Sequence, residues 1–168
     1  MPQMNIDATT LATITERLGR KPRGLRAVAA RDAAGEPAVI RVASVVDGRP
    51  FPTLFWLIDP VLNYRIDRAE AGGLIADLQA RVDAEPGLAA AMAGDHRRHI
   101  ALREQHLAPA ERELLEARGQ WAALAERGIG GRADFRRIRC LHTWYAAHLV
   151  EQNTIGGLLD AHWAAQAA

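Results

Sequence analysis

Hydrophobic positions change their period twice along this chain, from helical to strand-like after Gly19 and back to helical at Asp59. Before the strands, Leu11, Ile14 and Leu18 recur at helical spacing and predict an opening helix from about Thr9 to Leu18, with Gly19 to end it. The loop 19–24 reads Gly-Arg-Lys-Pro-Arg-Gly, and Pro22 keeps Lys21 out of the helical region. Three strand-type runs follow, at 25–31, 38–46 and 51–58, the second rich in β-branched residues. Turn chemistry separates the first pair at 32–37, and Asp47-Gly48 is a hairpin signal between the second pair. Pro52 falls near the start of the third run, where a missing N–H is tolerated. An antiparallel three-stranded meander is the simplest pairing.

From Asp59 onward the pattern is helical. Asp59-Pro60 is an N-cap followed by proline at the first helical position. Leu62, Ile66 and Ala69 form an inner stripe, Gly72-Gly73 interrupts it, and Leu74, Ile75, Leu78 and Val82 continue it. One long helix is predicted over 86–106 and another over 109–127, ended by the glycine-rich segment 128–131. Asp134 caps a helix carrying Cys140, and an Asn153-Thr154 turn leads into a last helix with Leu158, Leu159 and Trp163. Strands first and helices after predict an α+β fold. It is a single domain over 1–168, with helix plus meander in 1–58 and a mostly helical two-thirds in 59–168.

A chain of 168 residues can bury a sizeable core. Its formal net charge of +1 argues against a general nucleic-acid binder, which carries a strong basic excess. A single cysteine excludes an intrachain disulfide and suits a reducing cytoplasm. No apolar run approaches the roughly 18–20 residues that cross a bilayer, so no membrane partner is expected. The N-terminal MPQMNIDATT lacks the basic and apolar regions of a secretory signal. Lys21 is the only lysine, an arginine bias typical of GC-rich bacterial genomes. These features together predict a soluble cytoplasmic protein.

Chemistry concentrates in 135–157, which holds Cys140, His142 and His148. In a regular helix Cys140, Trp144, His148 and Glu151 share an arc of roughly 80°, while His142 lies roughly 200° from Cys140. On that geometry Cys140 and His142 cannot share a metal unless a second segment intervenes, and no metal is assigned. Cys140 is then either a small buried hydrophobe or a nucleophile, with His148 or His96 as base and Glu70 as orienting acid. Leu88, Met92, Ile100 and Leu107 define the apolar side of the long helix, and His96 and Arg103 fall inside that stripe. A buried guanidinium needs a carboxylate or a bound anion, and Glu70 is a candidate partner. Asp95, His99 and His106 lie on a neighbouring edge expected to be solvated. Arg20, Lys21 and Arg23 beside two glycines suit an anion. No Walker, Rossmann, nucleophile-elbow or HExxH pattern occurs, and no cofactor is named by the residues. Phe51, Phe55 and Trp56 are assigned to the core.

The segments 19–24, 50–57 (Pro-Phe-Pro-Thr-Leu-Phe-Trp-Leu), Glu70-Ala-Gly, Arg139-Cys-Leu-His142 and Asn153-Thr-Ile-Gly156 resemble, in that order, the bacterial domain-of-unknown-function family numbered 501. That family has no established activity. The resemblance implies importance for Arg23, Glu70, His96, Cys140, His142 and Asn153. Many members carry a histidine where this chain has Ala147 and a proline where it has Thr154. If the former position bears on metal binding, this chain has lost that site or moved it by one residue, to His148.

The leading expectation is a binding module for a small anion or phosphorylated ligand. His96, Arg103, Cys140 and His148 would line one hollow, with Arg20 and Arg23 at its mouth and His142 and Asn153 as further ligand-binding positions. The alternatives are an enzyme (hydrolase or transferase) using Cys140, His148 and Glu70, a metal protein using Cys140 and histidines, or a homodimer through the alanine-rich C-terminal helix.

Overall fold

The structure, a computed structural model, describes residues 6–168. The reading of the N-terminus as no signal therefore lies partly outside the described residues.

Helix α1 (Ala8–Leu18) starts where the Asp7 carboxylate accepts the Thr10 N–H at 2.8 Å and stops at Gly19, φ 71°. Strands β1 (Leu25–Arg31), β2 (Pro37–Val42) and β5 (Phe55–Leu57) form an antiparallel sheet in the order β1-β2-β5. The expected α+β meander is present, with two corrections. The second predicted strand ends at Val42, and Val45–Val46 (β3) pairs instead with Arg49–Pro50 (β4) in a separate ribbon. That ribbon turns on Asp47 and Gly48, both at positive φ, the twist that suits a tight hairpin. The third strand shortens to 55–57, and residues 51–54 run between it and the ribbon without belonging to either sheet.

Asp59 caps α2 (Pro60–Ala71) through its side chain, and Gly72-Gly73 separates it from α3 (Leu74–Ala84). Helix α4 (Pro86–Gln105) follows. The segment predicted as one helix from Pro109 is two: α5 (Pro109–Ala117) ends near Gly119, φ 66°, before the short α6 (Ala122–Ala125). A 3-10 turn occupies Ile129–Gly131. Helices α7 (Leu141–His148) and α8 (Thr154–Ala167) complete the fold; the latter is capped by Asn153 and so takes in Thr154, expected in the turn before it.

The helix expected from Asp134 does not form. Side chains of other helices claim its backbone first. Gln79 of α3 accepts the Ile138 N–H and donates to the Arg136 carbonyl, at 2.9 and 2.8 Å, and Glu70 of α2 accepts the Leu141 N–H at 2.7 Å. The chain therefore stays extended to Cys140 (φ −154°, ψ 124°), which is the residue before α7.

The sheet has helices on both faces. Along β2, Val39 points into the main core with Leu54, Phe55 and the apolar faces of α2, α3, α4, α7 and α8. The next residue, Ile40, points the other way, with Val42, Ile58 and Ile14 of α1. Burial on both faces makes β2 the central strand and explains its unbroken Ala-Val-Ile run. Among the described residues no helix is long and apolar enough to cross a membrane.

Candidate functional site

Because Cys140 precedes α7 rather than lying inside a helix, its side chain is free of the helical 100° rotation that sets it apart from His142. Cys140 Sγ lies 3.6 Å from His142 Nδ1. From α2, Glu70 Oε1 reaches the same nitrogen at 3.4 Å, and Asp67 Oδ1 meets the far nitrogen, Nε2, at 3.0 Å. One ligand atom each from Glu70, Cys140 and His142 falls within 4.8 Å of the others. The Leu141 N–H holds Glu70 Oε1 in place. Asp67 and Glu70 are one helical turn apart, so α2 presents both carboxylates to the start of α7. That spacing was visible in the sequence, yet nothing there placed α2 beside residue 140.

The electrostatics follow from this clustering. Burial is the largest single influence on the Cys140 thiol and raises it, but the hydrogen bonds from His142 and the Thr143 N–H, with the charge of His142, together outweigh it and the thiol lies below its ordinary value. His142 is pushed up to about 9, first by that same bond, then by the charges of Cys140, Glu70 and Asp67. Neither carboxylate has an arginine or lysine partner among the described residues, so two carboxylates and a thiol share a single imidazole. The side chains of His142 and Glu70 are each 26% exposed, so the group is open to solvent from one side.

The other expected residues do not join it. His148 sits at the opposite end of α7, about 12 Å of helical rise from Cys140. Its Nδ1 accepts the Asn153 N–H at 3.0 Å and its Nε2 meets Asp160 Oδ2 at 2.9 Å, while Tyr145 donates to the other oxygen of Asp160. Asn153 is equally structural, bonding the Trp144 carbonyl and the Gly156 N–H. Together they join α7 to α8. A Cβ on Gly156 would fall 2.2 Å from His148 Cγ, so this histidine needs the glycine beneath it.

His96 is fully buried. Its Nδ1 accepts the Ile129 N–H at 2.9 Å, and its ring stacks on Phe135 and meets Trp144 edge-on. Arg103, expected to seek Glu70, instead donates to the Leu124 and Arg127 carbonyls at 2.6 and 2.7 Å, capping the α6 region. Asp95 and His99, expected on a solvated edge, are buried: Asp95 binds Arg98 and accepts the Thr154 N–H at 2.8 Å. The buried stripe of α4 is thus largely polar, which is why hydrophobic periodicity misjudged its faces. Arg20 and Arg23 lie apart from all of these, at a cavity with Arg49, Phe51 and Trp56. The single hollow expected from the sequence is dispersed over four places.

Residues 28–161 match the model of a family described as a protein of unknown function, DUF501. The chain belongs to this family. No curated protein and no solved structure matches it. The match spans Glu70, Cys140 and His142 and stops short of Arg20 and Arg23. Within DUF501 this chain's Ala147 lines a small cavity of about 20 Å³ with Asp95 and His99. That position is about 10 Å of helical rise from Cys140, away from the cluster there.

Proposed function

We propose that this DUF501 protein binds one divalent transition-metal ion of the zinc class through Glu70, Cys140 and His142. The observation that carries the reading is three donors of the types zinc prefers (a carboxylate oxygen, a sulfur and an imidazole nitrogen) within 4.8 Å of one another. Two features of the surroundings support it. Asp67 holds the far nitrogen of His142 at 3.0 Å, the role a carboxylate plays behind a metal-bound histidine. The cluster also gathers more acidic groups than its one imidazole can balance, and a cation resolves that excess. Three protein ligands leave a fourth position for water or an anionic oxygen, so the expected small anionic ligand has a place to bind. A bacterial cytoplasm suits the site, since reducing conditions keep Cys140 from forming disulfides.

Metal analysis of protein purified without a histidine tag tests this. About one zinc per chain is expected, falling to near zero in Cys140→Ala and in Glu70→Gln. Replacement by cobalt should give a thiolate charge-transfer band that Cys140→Ala abolishes. A stoichiometry near zero after zinc supplementation, with no change in Tm on adding zinc, overturns the proposal.

One observation favours a second reading. Cys140, His142 and Asp67 are ordered as nucleophile, base and orienting acid, at 3.6 and 3.0 Å. A metal-free chain whose thiol alkylates rapidly near pH 7, and slowly in His142→Asn, would assign Cys140 to nucleophilic catalysis instead.

A further inference from the structure

Away from the Cys140 cluster, a cavity of about 380 Å³ opens between the loop after α1 and the β3–β4 ribbon, a volume within the range of small-molecule sites. It is lined by Arg20, Arg23, Arg49, Phe51 and Trp56, with Val46 and Pro50. The Arg20 guanidinium lies over the Trp56 ring at 5.0 Å, and Trp56 meets Phe51 at 6.0 Å. Three guanidiniums around one hollow repel each other, and little on the protein offsets that. Arg23 has only a solvent-exposed pair with Asp47 at 3.7 Å, and Arg20 and Arg49 have no ion pair among the described residues.

The frame is anchored. The ribbon's tip is held by Arg118, which donates to the Gly48 carbonyl at 2.7 Å, and its base by the Phe51 N–H on the Ser44 carbonyl at 2.7 Å. The loop is tied to it by the Ala43 N–H on the Gly24 carbonyl, also at 2.7 Å. A Cβ on Gly24, at φ 67°, would crowd Val46 at 3.2 Å, so the loop approaches closely only because that residue is glycine. Trp56 and Phe51 pack partly against the second core, which fixes the aromatic wall.

We propose that this cavity binds a phosphorylated small molecule carrying a flat aromatic ring, of nucleoside-monophosphate type. The arginines supply bidentate donors for phosphate, and the Trp56 and Phe51 rings supply a stacking surface. A bare phosphate would leave the rings unused, and an uncharged ring would leave the guanidiniums uncompensated. The limited volume of about 380 Å³ and the net charge of +1 favour a small molecule over a polymer backbone. The proposal is independent of the metal reading.

Calorimetric titration of the full chain with adenosine 5′-monophosphate, inorganic phosphate and adenosine tests it. The monophosphate should bind at least about tenfold more tightly than either fragment, and Arg20→Ala and Arg49→Ala should each weaken it about tenfold or more. Both arginines are exposed, and unchanged circular dichroism in these variants shows that the fold persists. Trp56→Leu should reduce the advantage of the monophosphate over phosphate. Absence of binding up to millimolar nucleotide overturns the proposal, as does equal affinity in an Arg20→Ala/Arg49→Ala double variant. Preference for a single-stranded oligonucleotide over the monophosphate also overturns it.

Discussion

Two buried histidines on α4 should make this protein lose stability in mild acid, well before its carboxylates titrate. His96 is fully buried and its pKa is pushed down to about 4 by loss of water, against the weaker pull of Asp95 and Asp134. His99 is 7% exposed and is pushed down to about 3, again by burial first, then by the charges of Arg103 and His96. In the unfolded chain both titrate near 6.5. The unfolded state therefore binds more protons below that value, and stability present at pH 7 is lost as pH falls from about 6.5 towards 4. At pH 5 each histidine contributes a loss of about 2 kcal/mol relative to pH 7, or about 4 kcal/mol for the pair if they act independently. That is a large share of the usual total of about 5–15 kcal/mol. Asp7 and Asp32, whose pKa values are lowered by backbone hydrogen bonds, add their losses only below about pH 4. Urea unfolding at pH 7 and pH 5 measures the difference directly. Comparison with His96→Asn, whose amide oxygen can still accept the Ile129 N–H, and with His99→Phe isolates each term. Each variant should lose about 2 kcal/mol less than the wild type on acidification. The comparison also cancels His142, whose raised pKa acts in the opposite direction, with stability fully present below about 6.5 and lost as pH rises through 9. Equal pH dependence in wild type and both variants would refute the reasoning.

Arg103→Met should lower unfolding free energy by about 3–5 kcal/mol in urea titration, since it strips the Leu124 and Arg127 carbonyls of their buried donor. Gly156→Ala should cost about 2–3 kcal/mol, because its Cβ would fall 2.2 Å from His148 and force that ring off Asn153 and Asp160. Gly157→Ala, one residue on in the same helix with nothing within 4 Å, should instead leave Tm unchanged or raise it, by up to about 1 kcal/mol in stability. A loss of equal size in both would remove the role assigned to Gly156.

The fold was legible wherever local chemistry decides it. Asp59-Pro60, Gly72-Gly73 and Gly19 all mark helix ends where the sequence predicts them, because caps and left-handed turns depend on a few adjacent residues. The faces of α4 were not legible in the same way. Periodicity places His96 and Arg103 inside the inward stripe, where they are buried, but it assumes that the rest of that stripe is apolar and so leaves Asp95 and His99 on a solvated edge, whereas they are buried too. The partners of His96, Asp95 and Arg103, which are the Ile129 N–H, the Thr154 N–H and the carbonyls of residues 124 and 127, lie 21 to 59 positions further along the chain. Backbone groups leave no trace in composition, so a side chain that serves one cannot be told from a ligand-binding residue by its type.

The Cys140 site shows the same limitation more sharply, because it turned on where one helix begins. Starting the helix at Asp134 sets Cys140 and His142 on opposite sides. Starting it at Leu141 brings their side chains within 3.6 Å. Propensity could not decide between these, since an Asp134 cap is locally favourable. The decision belongs to Gln79 and Glu70, more than fifty residues earlier, which satisfy the backbone of 136–141 and so remove the need for helical hydrogen bonds there. Glu70 has two roles in this arrangement. It holds the Leu141 N–H, which starts the helix after Cys140, and its carboxylate completes the donor cluster. The residue that makes the local geometry possible is therefore one of the three groups the geometry brings together, and formation of the site and formation of that helix boundary are one event.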